Sequence, residues 1–186
     1  MKRTFDLILS LCAAVILLIP FVFLCVAVKL TSSGSMFYLS DRVGRNNLIF
    51  RMPKLRTMRI GTPVLATHLL LSPQAHLTPI GNILRKSSLD ELPQLWSIII
   101  GDMSFVGPRP ALFNQKDLIA LRTACGVHTL VPGLTGWAQI NGRDELNINA
   151  KVVLDEEYLV RRSFAFDCMI LWRTLSKVIR REGVTH

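Results

Sequence analysis

Two adjacent carboxylates, Asp90 and Glu91, stand in the segment SSLDELPQL of a chain whose formal net charge is +9. Basic residues flank them, with Arg85 just before and Arg109 shortly after. A structural explanation exists, because Ser88-x-x-Glu91 matches a capping box and acidic residues in a first helical turn interact favourably with the helix dipole. A chemical explanation is phosphoryl chemistry, in which cations hold phosphate oxygens, one carboxylate attacks phosphorus or holds magnesium, and the other handles a proton.

Three basic residues are candidates for holding such a phosphate. Arg109 lies between Pro108 and Pro110, which restrict the backbone, and a guanidinium held rigidly there can grip a phosphate with two donors. Lys54 and Arg56 are two residues apart, so in an extended segment they share a face. The spacing therefore predicts cations that converge on one anion.

The composition points to a membrane surface. Half of the residues are hydrophobic, and 22 lysines and arginines stand against 13 acids. A chain both hydrophobic and basic suits anionic lipid, whereas a nucleic-acid partner would explain only the charge, and no nucleic-acid recognition motif is present. The four cysteines form no metal-ligand pattern with the four histidines, which indicates reduced thiols in a cytosol-facing protein.

The N-terminal run from residue 7 to residue 28 has no charged side chain and is long enough to span a bilayer as a helix. It is too long for a signal peptide and has no evident cleavage site. Pro20 in its centre predicts a kink or a break. Lys2 and Arg3 precede the run and Lys29 follows it, so the positive-inside rule places both flanks in the cytoplasm. A helix broken at Pro20 that re-enters the same leaflet satisfies this rule, but the residues alone leave a spanning helix open.

The remaining elements are predicted to be mainly helical. Short extended segments, at 36–44 and 47–60, follow a polar linker at 31–35. No βαβ rhythm, GxGxxG motif or Walker motif is present. The last helix is either an ordinary core-facing helix or a basic amphipathic helix resting on anionic lipid. The sequence thus predicts a helix-rich α+β protein, with a membrane helix at 1–30 and a small domain at 31–186, and with helices at 88–100, 112–124, 149–161 and 163–182.

Three blocks of sequence carry a resemblance to a known family. They are DRVGRNNLIFRMPKLRTM, LTPIGNILRKSSLDELPQLWSIIIGDMSFVGPRP and VPGLTGWAQINGRDEL, and they occur in this order. Together they closely resemble the bacterial sugar transferase family, the monotopic phosphoglycosyl transferases. The resemblance covers nearly the whole chain, including the apolar run with its central proline, and the short length is similar to that of the minimal members.

The resemblance implies a reaction and a location. A sugar 1-phosphate moves from a UDP-sugar, such as a UDP-N-acetylhexosamine derivative, to polyprenyl (undecaprenyl) phosphate, and UMP is released. This is the first membrane step of a bacterial glycan pathway (O-antigen, capsule or glycoprotein). The implied location is the inner membrane, with the catalytic domain and its amphipathic interfacial helices on the cytoplasmic face, next to anionic lipids and without a nucleic-acid partner.

The resemblance also implies roles for single residues. Asp90 is the nucleophile that forms a covalent phosphosugar intermediate and a ligand of Mg²⁺, and Glu91 is the neighbouring acid/base. Arg109 matches a phosphate-binding arginine, and Pro20 marks the break of a re-entrant helix. Other residues in the matching blocks are implied to bind phosphate or substrate: Lys54, Arg56, Arg85, Gln139 and Arg143.

Two other functions are compatible with parts of the sequence. A glycosyltransferase that moves the sugar without its phosphate would release UDP rather than UMP. A basic membrane anchor or scaffold would explain the charge and the hydrophobicity, but it would give Asp90, Glu91 and the GPRP turn no role.

Overall fold

The computed structural model describes residues 1–63, 72–142 and 146–180. Their helices and strands follow the order α1 (Lys2–Thr31), β1 (Phe37–Val43), β2 (Ile49–Leu55), α2 (Gly81–Lys86), α3 (Gln94–Ile100), β3 (Ser104–Val106), α4 (Lys116–Ala124), β4 (Gly133–Thr135), α5 (Trp137–Ile140), α6 (Ile148–Arg161) and α7 (Phe164–Arg180). The predicted helix-rich architecture, with short strands and one long apolar N-terminal helix, is confirmed.

The helix α1 is long and apolar enough to cross a membrane, by length and composition. It continues through Pro20, so the helix is not broken there as predicted, whereas the alternative prediction of a kink stays a prediction. A proline removes only one backbone donor, and an apolar helix tolerates it when the other backbone groups remain bonded. The middle of α1 is uncovered, since Val15, Ile16 and Ile19 are 69% to 76% exposed. A helix segment that is apolar and uncovered matches the environment of lipid.

The first turns of α1 are fastened to the rest of the protein by polar contacts. Asp6 is buried, and its carboxylate accepts hydrogen bonds from Ser104 Oγ (2.8 Å) and from the backbone N–H of Phe105 (3.2 Å) in β3. Lys2 forms an ion pair with Asp167 in α7. The start of the apolar helix is therefore held at the strand β3.

The last turns of α1 are fastened to the same folded unit. Val28 is fully buried and packs in a cluster with Leu55 and Leu84. Just after the helix, Ser32 accepts two hydrogen bonds from Arg56, one at its carbonyl oxygen (3.0 Å) and one at Oγ (2.8 Å). Both ends of α1 thus pack against one domain, while the middle of the helix does not.

Two small sheets place the functional residues. The strands β1 and β2 form an antiparallel hairpin in which Phe37 pairs with Leu55 and Val43 with Ile49. Asn46 and Asn47 make its turn with positive φ, a conformation that asparagine tolerates better than most residues. The strands β3 and β4 are parallel. The hairpin carries Lys54, whereas β3 leads directly into the GPRP loop, defined here as residues 107–110.

The helical predictions are largely confirmed, with shifted boundaries. The region 88–100 contains a 3₁₀ turn at Leu89–Glu91 followed by α3, and α4 begins four residues later than the predicted start at 112. The helices α6 and α7 lie at the predicted places, although the last two residues predicted for α7 are outside the described residues. The short helix α2 was not predicted.

Candidate active site

The carboxylate pair lies in the 3₁₀ turn Leu89–Glu91, between α2 and α3. Ser88, which precedes the turn, has a left-handed backbone (φ 56°) and makes no side-chain capping bond. The capping-box explanation is therefore wrong, because a capping residue needs an extended backbone to aim its oxygen at the first free N–H groups. The side chain of Glu91 instead accepts a hydrogen bond from Lys54.

Asp90 is the buried member of the pair, with 6% of its surface exposed. Burial raises its pKa, and the nearby Glu91 adds to that effect, whereas Lys54, Arg85 and Arg109 oppose it. Lys54 Nζ lies 3.9 Å from Asp90 Oδ2, but it donates its hydrogen bond to Glu91 Oε1 at 2.8 Å. No donor within the described ranges is hydrogen-bonded to the carboxylate of Asp90, so its oxygens are available for a ligand.

The GPRP loop brings Arg109 to the same place. Arg109 Nη2 lies 3.6 Å from Glu91 Oε1, and its side chain is about one-third exposed. The loop closely approaches the segment that leads into β4 at Gly107, where a Cβ atom would lie only 2.4 Å from the carbonyl oxygen of Val131. Glycine at this position therefore allows the loop to lie against the domain, and Arg109 faces the carboxylate pair.

Two other residues predicted for the site, Arg56 and Gln139, have different partners, and a third lies outside the described residues. Arg56 is buried and donates two hydrogen bonds to Ser32. Gln139 lies in α5 and donates to the carbonyl of Leu134 (3.3 Å). Arg143 lies outside the described residues. The structure thus gathers Lys54, Glu91, Arg85 and Arg109 around Asp90, and it gives Arg56 and Gln139 other partners.

Sequence reasoning missed two residues of the site. Arg42 and Gln94 line a small cleft together with Glu91 and Arg109. Gln94 is 2% exposed, and its Nε2 makes no hydrogen bond to another described residue. A signal for Gln94 was present, because it follows Asp90 by four residues, about one helical turn. No sequence signal pointed to Arg42, because its position depends on how the hairpin of β1 and β2 meets the segment near Leu112.

The carboxylates suit a magnesium ion shared with a substrate. Within the described part of the chain, no cluster of three or more acidic, histidine or cysteine side chains forms a complete protein site. Mg²⁺ is commonly held by one or two carboxylates together with substrate phosphates and water. The available oxygens of Asp90, next to Glu91, fit this donor set.

Comparison with known proteins gives the family. Residues 1–181 match the family model described as bacterial sugar transferase. The chain is 38% identical to a Bacillus subtilis protein named uncharacterized sugar transferase EpsL, across 99% of this chain and 90% of that one. It is 37% identical to the exopolysaccharide production protein ExoY of Rhizobium meliloti, across 98% of this chain and 87% of that one.

A longer relative carries a more specific name. The chain is 34% identical to the UDP-glucose:undecaprenyl-phosphate glucose-1-phosphate transferase of Escherichia coli. The match covers 95% of this chain and 40% of that protein. Because the family model spans almost the whole chain, and the carboxylates and cations meet in the fold, the protein belongs to the bacterial sugar transferase family and is a phosphoglycosyl transferase.

Proposed function

We propose that this enzyme transfers a sugar 1-phosphate from a UDP-sugar to polyprenyl (undecaprenyl) phosphate through a covalent intermediate on Asp90. The observation that carries the proposal is the state of Asp90, a buried carboxylate without a hydrogen-bond donor in the described ranges, set beside cations. Such a group is suited to attack phosphorus, because its oxygens accept no hydrogen bond from the described residues and the cations oppose the rise in its pKa that burial causes. The name of the Escherichia coli relative, which contains both UDP-glucose and undecaprenyl phosphate, supports the same substrates.

The first half-reaction forms the intermediate. An oxygen of Asp90 attacks the phosphorus that carries the sugar, and the bond from this phosphorus to the bridging oxygen breaks. UMP leaves with that oxygen and its electron pair. Lys54 and Arg109 lie close enough to the carboxylates to neutralise charge on the phosphate oxygens during the displacement. A magnesium ion held by Asp90 and the donor's phosphates would supply further neutralisation of charge.

The second half-reaction regenerates the enzyme. A phosphate oxygen of polyprenyl phosphate attacks the same phosphorus, the bond to Asp90 breaks, and the carboxylate is restored. The product is a polyprenyl diphosphate sugar. Glu91 lies beside Asp90 and is held by Lys54, where it can accept the proton that an incoming phosphate loses. Two steps avoid bringing two anionic substrates together at one time.

The proposal includes a re-entrant arrangement of α1, at the cytoplasmic face of the bacterial inner membrane. Both ends of α1 contact the same domain, through Asp6 at the start and Val28 at the end, which supports placing both ends on one side of the bilayer. The uncovered middle of α1 would then lie in lipid. In this arrangement, the phosphate group of a bound polyprenyl phosphate would lie at the depth of the catalytic domain.

The helix α7 supports contact with the membrane surface. Its exposed side chains include Trp172 (70%), Leu175 and Val178. The same helix carries Arg173, and lysine and arginine also occur in its last turn. We propose that this helix lies at the interface with anionic lipid, because large apolar residues and cations on one exposed helix suit that boundary.

The donor sugar and the pathway are open parts of the proposal. Glucose and galactose appear in relatives' names, so a UDP-hexose stands beside a UDP-N-acetylhexosamine derivative as a donor to test. A relative named for exopolysaccharide production supports a first membrane step of a surface glycan, among which O-antigen, capsule and glycoprotein pathways are alternatives.

Product analysis tests the reaction class. Purified enzyme with undecaprenyl phosphate, Mg²⁺ and a panel of UDP-sugars is expected to release UMP with at least one donor and to form a lipid diphosphate sugar. Release of UDP would show that the sugar moves without its phosphate. An enzyme that is folded and binds anionic vesicles but releases neither nucleotide with any donor would favour the anchor or scaffold.

A further inference from the structure

The GPRP loop is held by donors from three different parts of the chain. Two of its residues are prolines, which have no N–H group, so the loop cannot fold back on itself through many backbone bonds. Three of its four carbonyl oxygens, those of residues 108, 109 and 110, each accept a hydrogen bond from elsewhere. The donors are the backbone N–H of Gly133 (2.9 Å), Arg122 Nη1 (2.8 Å) and Arg42 Nη1 (3.1 Å), in that order.

Arg122 is the donor to the carbonyl of Arg109 itself, and it is held by a buried acid. Arg122 Nε (3.0 Å) and Nη2 (2.6 Å) both donate to Asp155 Oδ2. Asp155 is 1% exposed and Arg122 9%. Burial raises the pKa of Asp155, and the guanidinium opposes that shift. Asp155 of α6 therefore holds the side chain of Arg122 in α4, and Arg122 in turn holds the GPRP loop.

Stability alone explains this pair poorly. Taking two charges out of water costs several kcal/mol per ion, and apolar residues of similar volume often serve as well or better. Apolar residues could not replace Arg122 Nη1, which donates a hydrogen bond to the carbonyl oxygen of Arg109 in the GPRP loop. The pair therefore holds the backbone of the GPRP loop, which apolar packing at the same positions would not do.

We propose that Arg122 and Asp155 form a positioning unit for Arg109. The unit fixes the backbone of Arg109, so that its guanidinium lies 3.6 Å from Glu91, where the substrate phosphate is processed. This inference rests on the proposed function only for its effect on turnover. A misplacement of about 1 Å in a positioning group can cost about a hundredfold in rate, so we expect a loss of roughly tenfold to a hundredfold without the unit.

The test must remove the donor without leaving a buried charge. Arg122→Met alone strands the carboxylate of Asp155 and is expected to unfold the protein. The double variant Arg122→Met/Asp155→Leu replaces both charges by apolar groups and is expected to keep the thermal unfolding midpoint in detergent close to that of wild type. Arg51→Met, which removes an exposed arginine of β2, is the matched control with wild-type activity.

Two readouts separate positioning from a structural role. The double variant is expected to release UMP roughly tenfold to a hundredfold more slowly in the absence of lipid acceptor. In an Arg109→Met background, the same double substitution is expected to add less than about twofold, because residues that act through a shared partner are not additive. In addition, hydrogen exchange of a peptide covering 104–112 is expected to speed up in the double variant, whether or not the enzyme is active.

Each outcome decides the proposal. Wild-type loop exchange and wild-type UMP release in the folded double variant would overturn it, as would losses that multiply with Arg109→Met. If the double variant does not fold, Arg122→Lys decides, because it keeps the charge beside Asp155 but lacks the forked donors. Faster loop exchange with an unchanged unfolding midpoint is then expected, and unchanged exchange would overturn the proposal. A wild-type enzyme that releases no UMP contradicts the proposed function, whereas the exchange readout still tests the positioning.

Discussion

Replacing Lys54 by methionine removes the cation closest to the proposed nucleophile. The ammonium lies 3.9 Å from Asp90 Oδ2, and both side chains are largely buried. At that separation two unit charges attract by about 4 kcal/mol with an effective dielectric constant of about 20, and by about 1 kcal/mol in bulk water. Because about 1.4 kcal/mol corresponds to one pKa unit, losing this attraction lowers the ionised fraction of Asp90 by at most about fivefold to about a thousandfold, and we expect Lys54→Met to slow UMP release by up to that factor.

The direction of the pH dependence follows from the charges around Asp90. Burial raises the pKa of Asp90, and Lys54 is the largest opposing influence. Without Lys54 the pKa of Asp90 rises further, so a larger fraction of the carboxyl is protonated at any given pH near that value. A protonated carboxyl does not attack phosphorus. The loss in Lys54→Met is therefore expected to be greatest at low pH and to recover partly as pH rises.

The assay is UMP release by enzyme given donor but no lipid acceptor, recorded across a pH series. Lys116→Met is the matched control, because Lys116 is exposed on α4 and its removal changes the net charge equally. The control is expected to keep the wild-type profile. If Lys54→Met were folded and kept both the wild-type rate and the wild-type acid limb, the assignment of Lys54 to the ionisation of Asp90 would be refuted.

Two further predictions concern the loop and the membrane helix. Arg109→Lys keeps the charge but loses the two-donor fork, so UMP release is expected to fall by roughly tenfold, and full activity in Arg109→Ala would rule out a role on phosphate. Pro20→Leu is expected to favour a straight span, so that a cysteine tag at residue 2 becomes labelled from the periplasmic side. In the wild-type chain that tag and one at residue 186 are expected to stay unlabelled, and periplasmic labelling at residue 2 would contradict re-entry.

Residues in contiguous motifs were predictable from the sequence. Asp90 and Glu91 are adjacent, and the two prolines around Arg109 indicate a turn with a restricted backbone. Once the hairpin is recognised, Lys54 also follows, because it lies in an extended strand that reaches the carboxylates. These positions depend on local chain geometry, which spacing reveals.

Residues whose partners are distant in sequence were not predictable. Lys54 and Arg56 were expected to share a role because they share a face, yet Arg56 bonds to Ser32 after the chain returns from α1. Arg122 and Asp155 are 33 residues apart, and only the packing of α4 on α6 brings them together. A one-dimensional pattern gives the direction of a side chain, but not which distant group it meets.

The most direct test of the account is the mass of the enzyme after it meets the donor alone. Enzyme incubated with a UDP-sugar and Mg²⁺, but without polyprenyl phosphate, is expected to gain the mass of one phosphosugar and to release about one equivalent of UMP, as a two-step mechanism requires. The adduct is expected to map to Asp90 and to be absent from folded Asp90→Asn. An enzyme that turns over with both substrates but forms no adduct with the donor alone, or a folded Asp90→Asn that turns over normally, would contradict the covalent role of Asp90.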